Sequence, residues 1–295
     1  MELRCVAARE GRLSSFLKEE LNMSTGLMNR LKWQQKIFVN GVSRHNDFRV
    51  QPGDVITAIL DEQTPQYPAE DGPLTILYED DHILAVDKPA GMLIHPSRAT
   101  MTGTLANRVL CHYQKTGQKS AFHPITRLDR DTFGIVLLAK NAHVHALLND
   151  LHNAGQLKKT YHALVYGAPP TESGIIDAPI ARRPLPSLLR YVNQDGKPSL
   201  TQYTLLENLG EYSRLALRPV TGRTHQLRVH CAYMGFPVLG DPQYASRSSR
   251  AFSEKAGLKT QLLCAKTLEF THPITGASVV LTSRMDPENP GKESL

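Results

Sequence analysis

Arg127-Leu-Asp-Arg-Asp131 places two carboxylates and two guanidinium groups within five residues, and an apolar run, Ile135 to Ala139, follows almost at once. A carboxylate that does chemistry needs a rigid support and a nearby cation to keep it ionised, and a charged loop leading into a buried strand supplies both. Asp129 and Asp131 would share a face if the segment stayed extended. A turn at Thr132–Gly134 intervenes, so one acid is expected to face a cleft and the other solvent. The plain alternative, a loop of surface ion pairs, is the usual fate of an Asp-X-Asp segment, and the adjoining strand weighs against it here.

A second charged group lies in "PVTGRTHQLRVH", residues 219–230, with Arg223, His225, Arg228 and His230. This reads as the first turn of a helix, where free amides favour an anion such as phosphate and Gly222 allows close approach. Arg223 and Arg228 are five apart and do not share a helix face. One can therefore serve phosphate and the other an internal carboxylate; an ordinary amphipathic helix is the competing reading. The spacing of His225, His230 and Cys231 matches neither HExxH nor a zinc finger, so no metal is expected. In "KKTYHALVYG" (158–167), Tyr161 could stack on a base with Lys158 or Lys159 on phosphate; a strand with a solvated basic start is the bland alternative. There is no Walker loop, no GxGxxG and no GxSxG, which sets aside nucleotide hydrolysis, dinucleotide redox chemistry and serine hydrolysis.

These groups need elements to hold them. Residues 1–60 read as a compact α+β unit: "LSSFLKEEL" and "LMNRLK" have helical spacing, and short strands follow around Asn40-Gly41 and Pro52-Gly53-Asp54. This unit carries nine Lys/Arg against six Asp/Glu. Residues 61–73 are acidic and hold Pro65, Pro68 and Pro73, the composition of a linker. From residue 74 to 295 strand patterns outnumber helices: "LTILYEDDHILAVDKPAG" is strand, polar turn, strand, "HVHALLNDLHNAG" is a helix stopped by Gly155, and "SVVLTS" is a late strand. "SRSSRAFSEKAG" reads as a polar loop. The order is not a regular βαβ alternation, so the expected class is α+β with a mixed, mainly antiparallel sheet.

A chain of 295 residues with 41% hydrophobic residues can bury a sizeable core. A formal charge of +6 suits a polyanionic partner without requiring one. The four cysteines (Cys5, Cys111, Cys231, Cys264) are far apart and form no CxxC pair, as expected of reduced thiols in the cytoplasm. No signal peptide or membrane span is expected, since no apolar run approaches roughly 18 residues.

Taken together, residues 74–285 resemble the RluA-type pseudouridine synthases. The resemblance rests on "ILAVDKPAGMLIHPS", "RLDRDTFG", "KKTYHALVYG", "PVTGRTHQLRVHCAYMGFPVLGDPQY" and "LLCAKTLEFTHPITG", in that order. Residues 1–60 are similar to the small RNA-binding domain first named in ribosomal protein S-four. The resemblance implies an isomerase that converts uridine to pseudouridine in structured RNA, ribosomal RNA foremost and transfer RNA also open, with no cofactor and no nucleotide. It implies Asp129 as the catalytic carboxylate, Arg228 as its partner, and Tyr161 as the base-stacking ring. Arg127 would fill the gap left by a flipped nucleotide, Lys158, Lys159, Arg223 and His225 would contact RNA, and Asp131 would be a bystander. The enzyme is expected to be monomeric. Three residues depart from the family pattern: Thr126 and Cys264 stand where His is usual, and Phe133 where Ser is usual. Two other readings remain, a non-catalytic RNA-binding or assembly factor and a metal-dependent hydrolase. The intact Asp129, Tyr161 and Arg228 speak against the first.

Overall fold

Alternation with period two accounts for the centre of the molecule. Along β8 (Ile83–Lys88) and β10 (Phe133–Ala139), Leu84, Val86, Val136 and Leu138 point to one side, and Ile83, Ala85, Ile135 and Leu137 to the other. Both faces are covered. Leu105, Val109 and Leu110 of α3 (Leu105–Lys115) pack on the first, Val144 and Leu148 of α4 (Ala142–Asn153) on the second. A strand buried on both faces has no polar positions, which is why 135–139 is a continuous apolar run. A computed structural model of the chain describes residues 2–60, 67–97 and 99–288.

The amino-terminal unit has a core of its own, centred on Leu13, Phe16, Leu17, Leu31, Ile37 and Ile56. It runs β1 (Glu2–Val6), β2 (Gly11–Arg12), α1 (Leu13–Glu19), α2 (Thr25–Trp33), β3 (Ile37–Val39), β4 (Val42–Ser43), β5 (Arg49–Val50) and β6 (Val55–Ile59). The Ser24 hydroxyl caps α2 by accepting from the Leu27 amide at 3.3 Å. Asn40 and Gly41 both have positive φ, 50° and 79°, as the tightest hairpin turns require. The first strand has no counterpart in the sequence reading. β1 pairs antiparallel with β6, and its exposed and half-buried residues give no apolar signal.

The larger unit is built on a ten-stranded sheet of order β12-β15-β16-β11-β17-β10-β8-β7, with β18 beside β17 and β9 beside β10. The strands not yet placed are β7 (Thr75–Glu79), β9 (His123–Pro124), β11 (Lys158–Tyr166), β12 (Ser173–Asp177), β15 (Leu200–Asn208), β16 (Tyr212–Pro219), β17 (Leu263–Thr271) and β18 (Ser278–Thr282). Among the described residues only β10 and β17 pair in parallel, so the sheet is mixed and mainly antiparallel, as expected. A separate hairpin, β13 (Ile180–Arg182) and β14 (Arg190–Val192), stands off the sheet, and α5 (Gln226–Tyr233) packs against β14, β15 and β16.

"SRSSRAFSEKAG" is not a loop: Arg247–Lys255 forms α6. Serine-rich composition conceals it, but the Ser246 hydroxyl caps its start, and Phe252 docks against Tyr166 and Tyr212 with ring centroids 5.8 Å apart. Of the Pro-rich stretch, 61–66 lies outside the described residues. Residues 67–73 run along α3, where the Asn107 side chain donates to the Pro68 carbonyl and Arg108 to the Pro73 carbonyl. No helix among the described residues is long and apolar enough to cross a membrane.

The parallel contact between β10 and β17 depends on one glycine. Gly134 has φ +105°, and a Cβ there would lie 2.8 Å from the Ala265 amide nitrogen and closer still to the Ala265 carbonyl oxygen. Gly134→Ala combines a strained backbone with overpacking, each costing about 1–3 kcal/mol. We expect a loss of roughly 2–6 kcal/mol in urea unfolding; a loss under about 1 kcal/mol would mean that β17 moves aside freely.

Candidate active site

The loop between β9 and β10 carries the charged cluster, and four contacts hold it. The Ile125 amide donates to the Leu137 carbonyl at 2.8 Å, and the Leu137 amide to the Thr126 hydroxyl at 3.0 Å. The Thr132 hydroxyl accepts from the Gln261 amide. The fourth is Lys88. Its ammonium is fully buried and donates to the carbonyls of Pro89, Met92 and Arg130, each at 2.9 Å. Burial pulls its pKa down to about 7, against the raising effect of Asp131 and Asp129.

These contacts direct Asp129 into a cleft of about 510 Å³, room enough for a nucleoside. Asp131 does not line it and pairs instead with the adjacent Arg130 at 3.1 Å. Arg127, Lys159, Tyr161, Arg223, His225 and Arg228 line the cleft with Asp129. Lys158 is exposed and does not. Burial, with the charge of Asp129 second, pushes the Tyr161 phenol well above its ordinary pKa, so the ring stays neutral. Burial also lowers Lys159, to about 8.

Arg228 is the hub. Its Nη1 donates to Asp129 Oδ2 at 3.0 Å. Its other edge grips Asp241 with two bonds, Nε to Oδ2 at 2.7 Å and Nη2 to Oδ1 at 2.8 Å, and Nη2 also reaches Gln243 Oε1 at 2.8 Å. The guanidinium lies 5.0 Å from the centre of the Tyr244 ring, within reach of a cation–π attraction. Arg228 is 5% exposed and Asp241 not at all. Burial opposes the guanidinium charge, but the bonds and charges of Asp241 and Asp129 outweigh it and raise its pKa. Asp241 is itself fixed, accepting the amides of Gln243 and Tyr244.

The turn before α5 differs from the reading of it as a helical turn. The helix begins at Gln226, so Arg223 and His225 lie in the loop ahead of it, with His225 at φ 59°. The buried Gln226 side chain shapes this loop: its Oε1 accepts from the Arg223 amide and the Thr221 hydroxyl, and its Nε2 donates to the Leu200 carbonyl and Thr201. The left-handed backbone brings His225 Nδ1 to the Tyr244 hydroxyl at 2.8 Å and Nε2 to 3.9 Å from Asp129. Burial lowers the His225 pKa, and the facing charge of Asp129 only partly opposes this. His230 is not in the cleft; it is buried between Thr201 and the Ala178 carbonyl. Cys231, beside it, is buried and its thiol is pushed up to about 12.

Asp241, Gln243, Tyr244, Gln226 and Lys88 are the residues that the pattern of charges does not single out. A signal for Asp241 was present: a guanidinium has five N–H donors, and a buried one needs acceptors on more than one edge. Of the three departures, Thr126 supplies a hydroxyl to the strand. Phe133 and Cys264 are direct neighbours across β10 and β17, in one cluster with Met285. A larger residue in place of the usual Ser and a smaller one in place of the usual His thus share one packing site.

With the geometry in hand, known proteins can be compared. A family model described as RNA pseudouridylate synthase matches residues 82–233, which include Asp129, Tyr161 and Arg228. A Bacillus subtilis protein named as an uncharacterized RNA pseudouridine synthase, YjbO, is 35% identical over 259 residues, covering 87% of this chain and 89% of that one. Ribosomal large subunit pseudouridine synthase D of Xanthomonas campestris is 37% identical over 231 residues, covering 76% and 69%. Among solved structures, human RNA Pseudouridylate Synthase Domain Containing 1 aligns with a TM-score of 0.60 at 28% identity, covering 74% of this chain and 86% of that one. The chain belongs to the RNA pseudouridylate synthase family.

Proposed function

We propose that this RNA pseudouridine synthase acts on ribosomal RNA, as a cytoplasmic monomer, with Asp129 as its catalytic carboxylate. The observation that carries the assignment is the pairing of Asp129 with a buried arginine inside a nucleoside-sized cleft. The isomerisation breaks the bond between uracil and ribose, turns the base and rejoins it through carbon. It involves no net oxidation. One carboxylate suffices, as nucleophile at sugar or ring or as base at the sugar. Arg228 faces this carboxylate with the opposite charge, its Nη1 3.0 Å from Asp129 Oδ2. The target must leave its helix, at a cost of a few kcal/mol; Tyr161 would stack on the extruded base and Arg127 would fill the space behind it. Lys159, Arg223 and His225 would contact the RNA from the cleft walls, and Lys158 from the exposed surface beside them. The ribosomal target is supported by the name of the Xanthomonas relative.

Asp129→Asn should abolish pseudouridine formation, because the amide is isosteric but is neither nucleophile nor base. Asp131→Asn should keep most activity. Asp241→Asn leaves Asp129 in place but takes a carboxylate from Arg228, so kcat should fall with KM nearly unchanged. Single-turnover assays on ribosomal RNA decide this, and Asp129→Asn turnover within tenfold of wild type would refute the assignment.

Lys159 gives a pH dependence with a definite sign. Its pKa near 8 leaves it charged below that pH and neutral above. The RNA concentration for half-saturation should therefore rise between pH 7 and 9, and Lys159→Arg, always charged, should flatten the rise. Identical profiles for the two proteins would remove Lys159 from the RNA contacts.

The amino-terminal unit we assign as an RNA-binding domain like that of ribosomal protein S-four. Its separate core and its excess of three positive charges support this. Trp33, 79% exposed with Lys32 Nζ 5.2 Å from its ring, offers a stacking surface. Removing residues 1–60 should weaken binding to long structured RNA and reduce its salt dependence, while sparing turnover at saturating RNA. Unchanged affinity would mean that the unit binds something else.

A further inference from the structure

A second recess, of about 460 Å³, opens beside the catalytic cleft. The β13–β14 hairpin and the turn Asp195–Lys197 form its outer walls, and Gly222–Thr224 separate it from the cleft, lining both. Arg182, Arg190, Lys197 and Arg223 bring four cations to it, against Asp195 as the one acid among the lining residues. Some cations elsewhere on this surface have carboxylate partners: Arg9 with Glu19, Arg49 with Glu10, Lys115 with Asp71 and Arg214 with Asp286. In the recess they do not. Arg190 donates to the carbonyls of Leu188 and Leu189, and Arg223 Nε to that of Pro198 at 3.1 Å, contacts that orient a guanidinium without neutralising it. Arg182 and Lys197 have no side-chain partner among the described residues.

The recess is a built feature of the fold. Ile180 and Lys197 exchange backbone hydrogen bonds of 3.0 and 2.9 Å. Gly196 closes the turn so tightly that a Cβ would lie 2.6 Å from the Ile180 carbonyl carbon. The Arg190 amide donates at 2.9 Å to the Tyr244 hydroxyl, the group that also meets His225. The recess is thus tied to the loop beside Asp129. On the shared wall, Gly222 is exposed and a Cβ there would touch nothing, so a strand can pass over it without obstruction.

We propose that this recess holds backbone phosphates of the RNA strand immediately next to the nucleotide in the cleft. The inference rests on the RNA-modifying reading above and adds to it a second anchor. Uncompensated cations gathered in one concavity repel one another until a polyanion joins them, and phosphates that do so release counterions. The anchor would fix the strand on one side of the target, so that extrusion of the base is not undone by the strand slipping.

The test uses the full chain with Arg182→Gln and Lys197→Gln together, neither residue belonging to the catalytic cleft. The probe is an RNA hairpin transcript that the wild type converts, bound at several potassium chloride concentrations, with single-turnover rates at saturating RNA alongside. The Kd should rise about tenfold, the log–log salt slope should become shallower by about 2, and the saturated rate should stay within twofold. An unchanged slope would overturn the proposal. So would a conservative pair, Arg182→Lys with Lys197→Arg, that loses affinity as the neutral pair does, since charge would then not be the cause. The slope is read from binding alone. If wild type forms pseudouridine in no RNA tried, yet the slope still falls by about 2, the functional reading fails and the recess stands.

Discussion

One guanidinium shared between two carboxylates organises this site. Arg228 is drawn out of water almost completely, a state tolerable only when opposite charges and hydrogen-bond acceptors surround it. Asp241 answers most of that need from a position with no access to substrate. This frees Asp129, which spends a single bond on the pair and keeps its second oxygen for chemistry. The three residues come from three separate places: the loop before β10, the helix α5, and the turn that follows it. Their meeting is therefore a tertiary event, and the close contact of β10 with β17 at Gly134 brings the first of those places into reach.

Around that pair the neighbouring groups hold the acid in position. Lys88 secures the loop from beneath through the Arg130 carbonyl, and Gln226 sets the loop that carries Arg223 and His225. Tyr244 joins several parts at once, meeting the Arg190 amide and His225 with its hydroxyl and lying under the guanidinium with its ring. Asp129 meets the cleft from a framework in which Lys88, Gln226, Tyr244 and Asp241 each have hydrogen-bond partners, which stiffens a buried network.

Much of this is legible in the order of residues, because charge clusters and strict periodicities are local properties. The continuous apolar run of β10 and the helix stop at Gly155 follow from spacing alone. What stays hidden depends on distant partners. Nothing local marks β1, whose pairing with β6 is its reason to be a strand, and α6 is stabilised by Phe252 finding Tyr166 and Tyr212. Asp241 looks like any acid beside a proline until Arg228 is placed next to it. The helix start at Gln226 escapes a linear reading because left-handed backbone at a histidine leaves no mark on composition. Phe133 and Cys264 look like two independent departures along the chain, and only their adjacency reveals a single exchange of volume.

That adjacency gives the molecule a built-in gauge of its own breathing. Cys264 lies in the core behind the Gly134 contact, and Cys231 on the helix that carries Arg228. Burial holds both thiols near 12, so neither is a thiolate in the closed protein. A thiol reagent can reach them only when the surrounding core opens, whereas Cys5 and Cys111 are only partly covered. Labelling of these two sulfurs would thus report, without any substrate, how often the core opens around β17 and around α5.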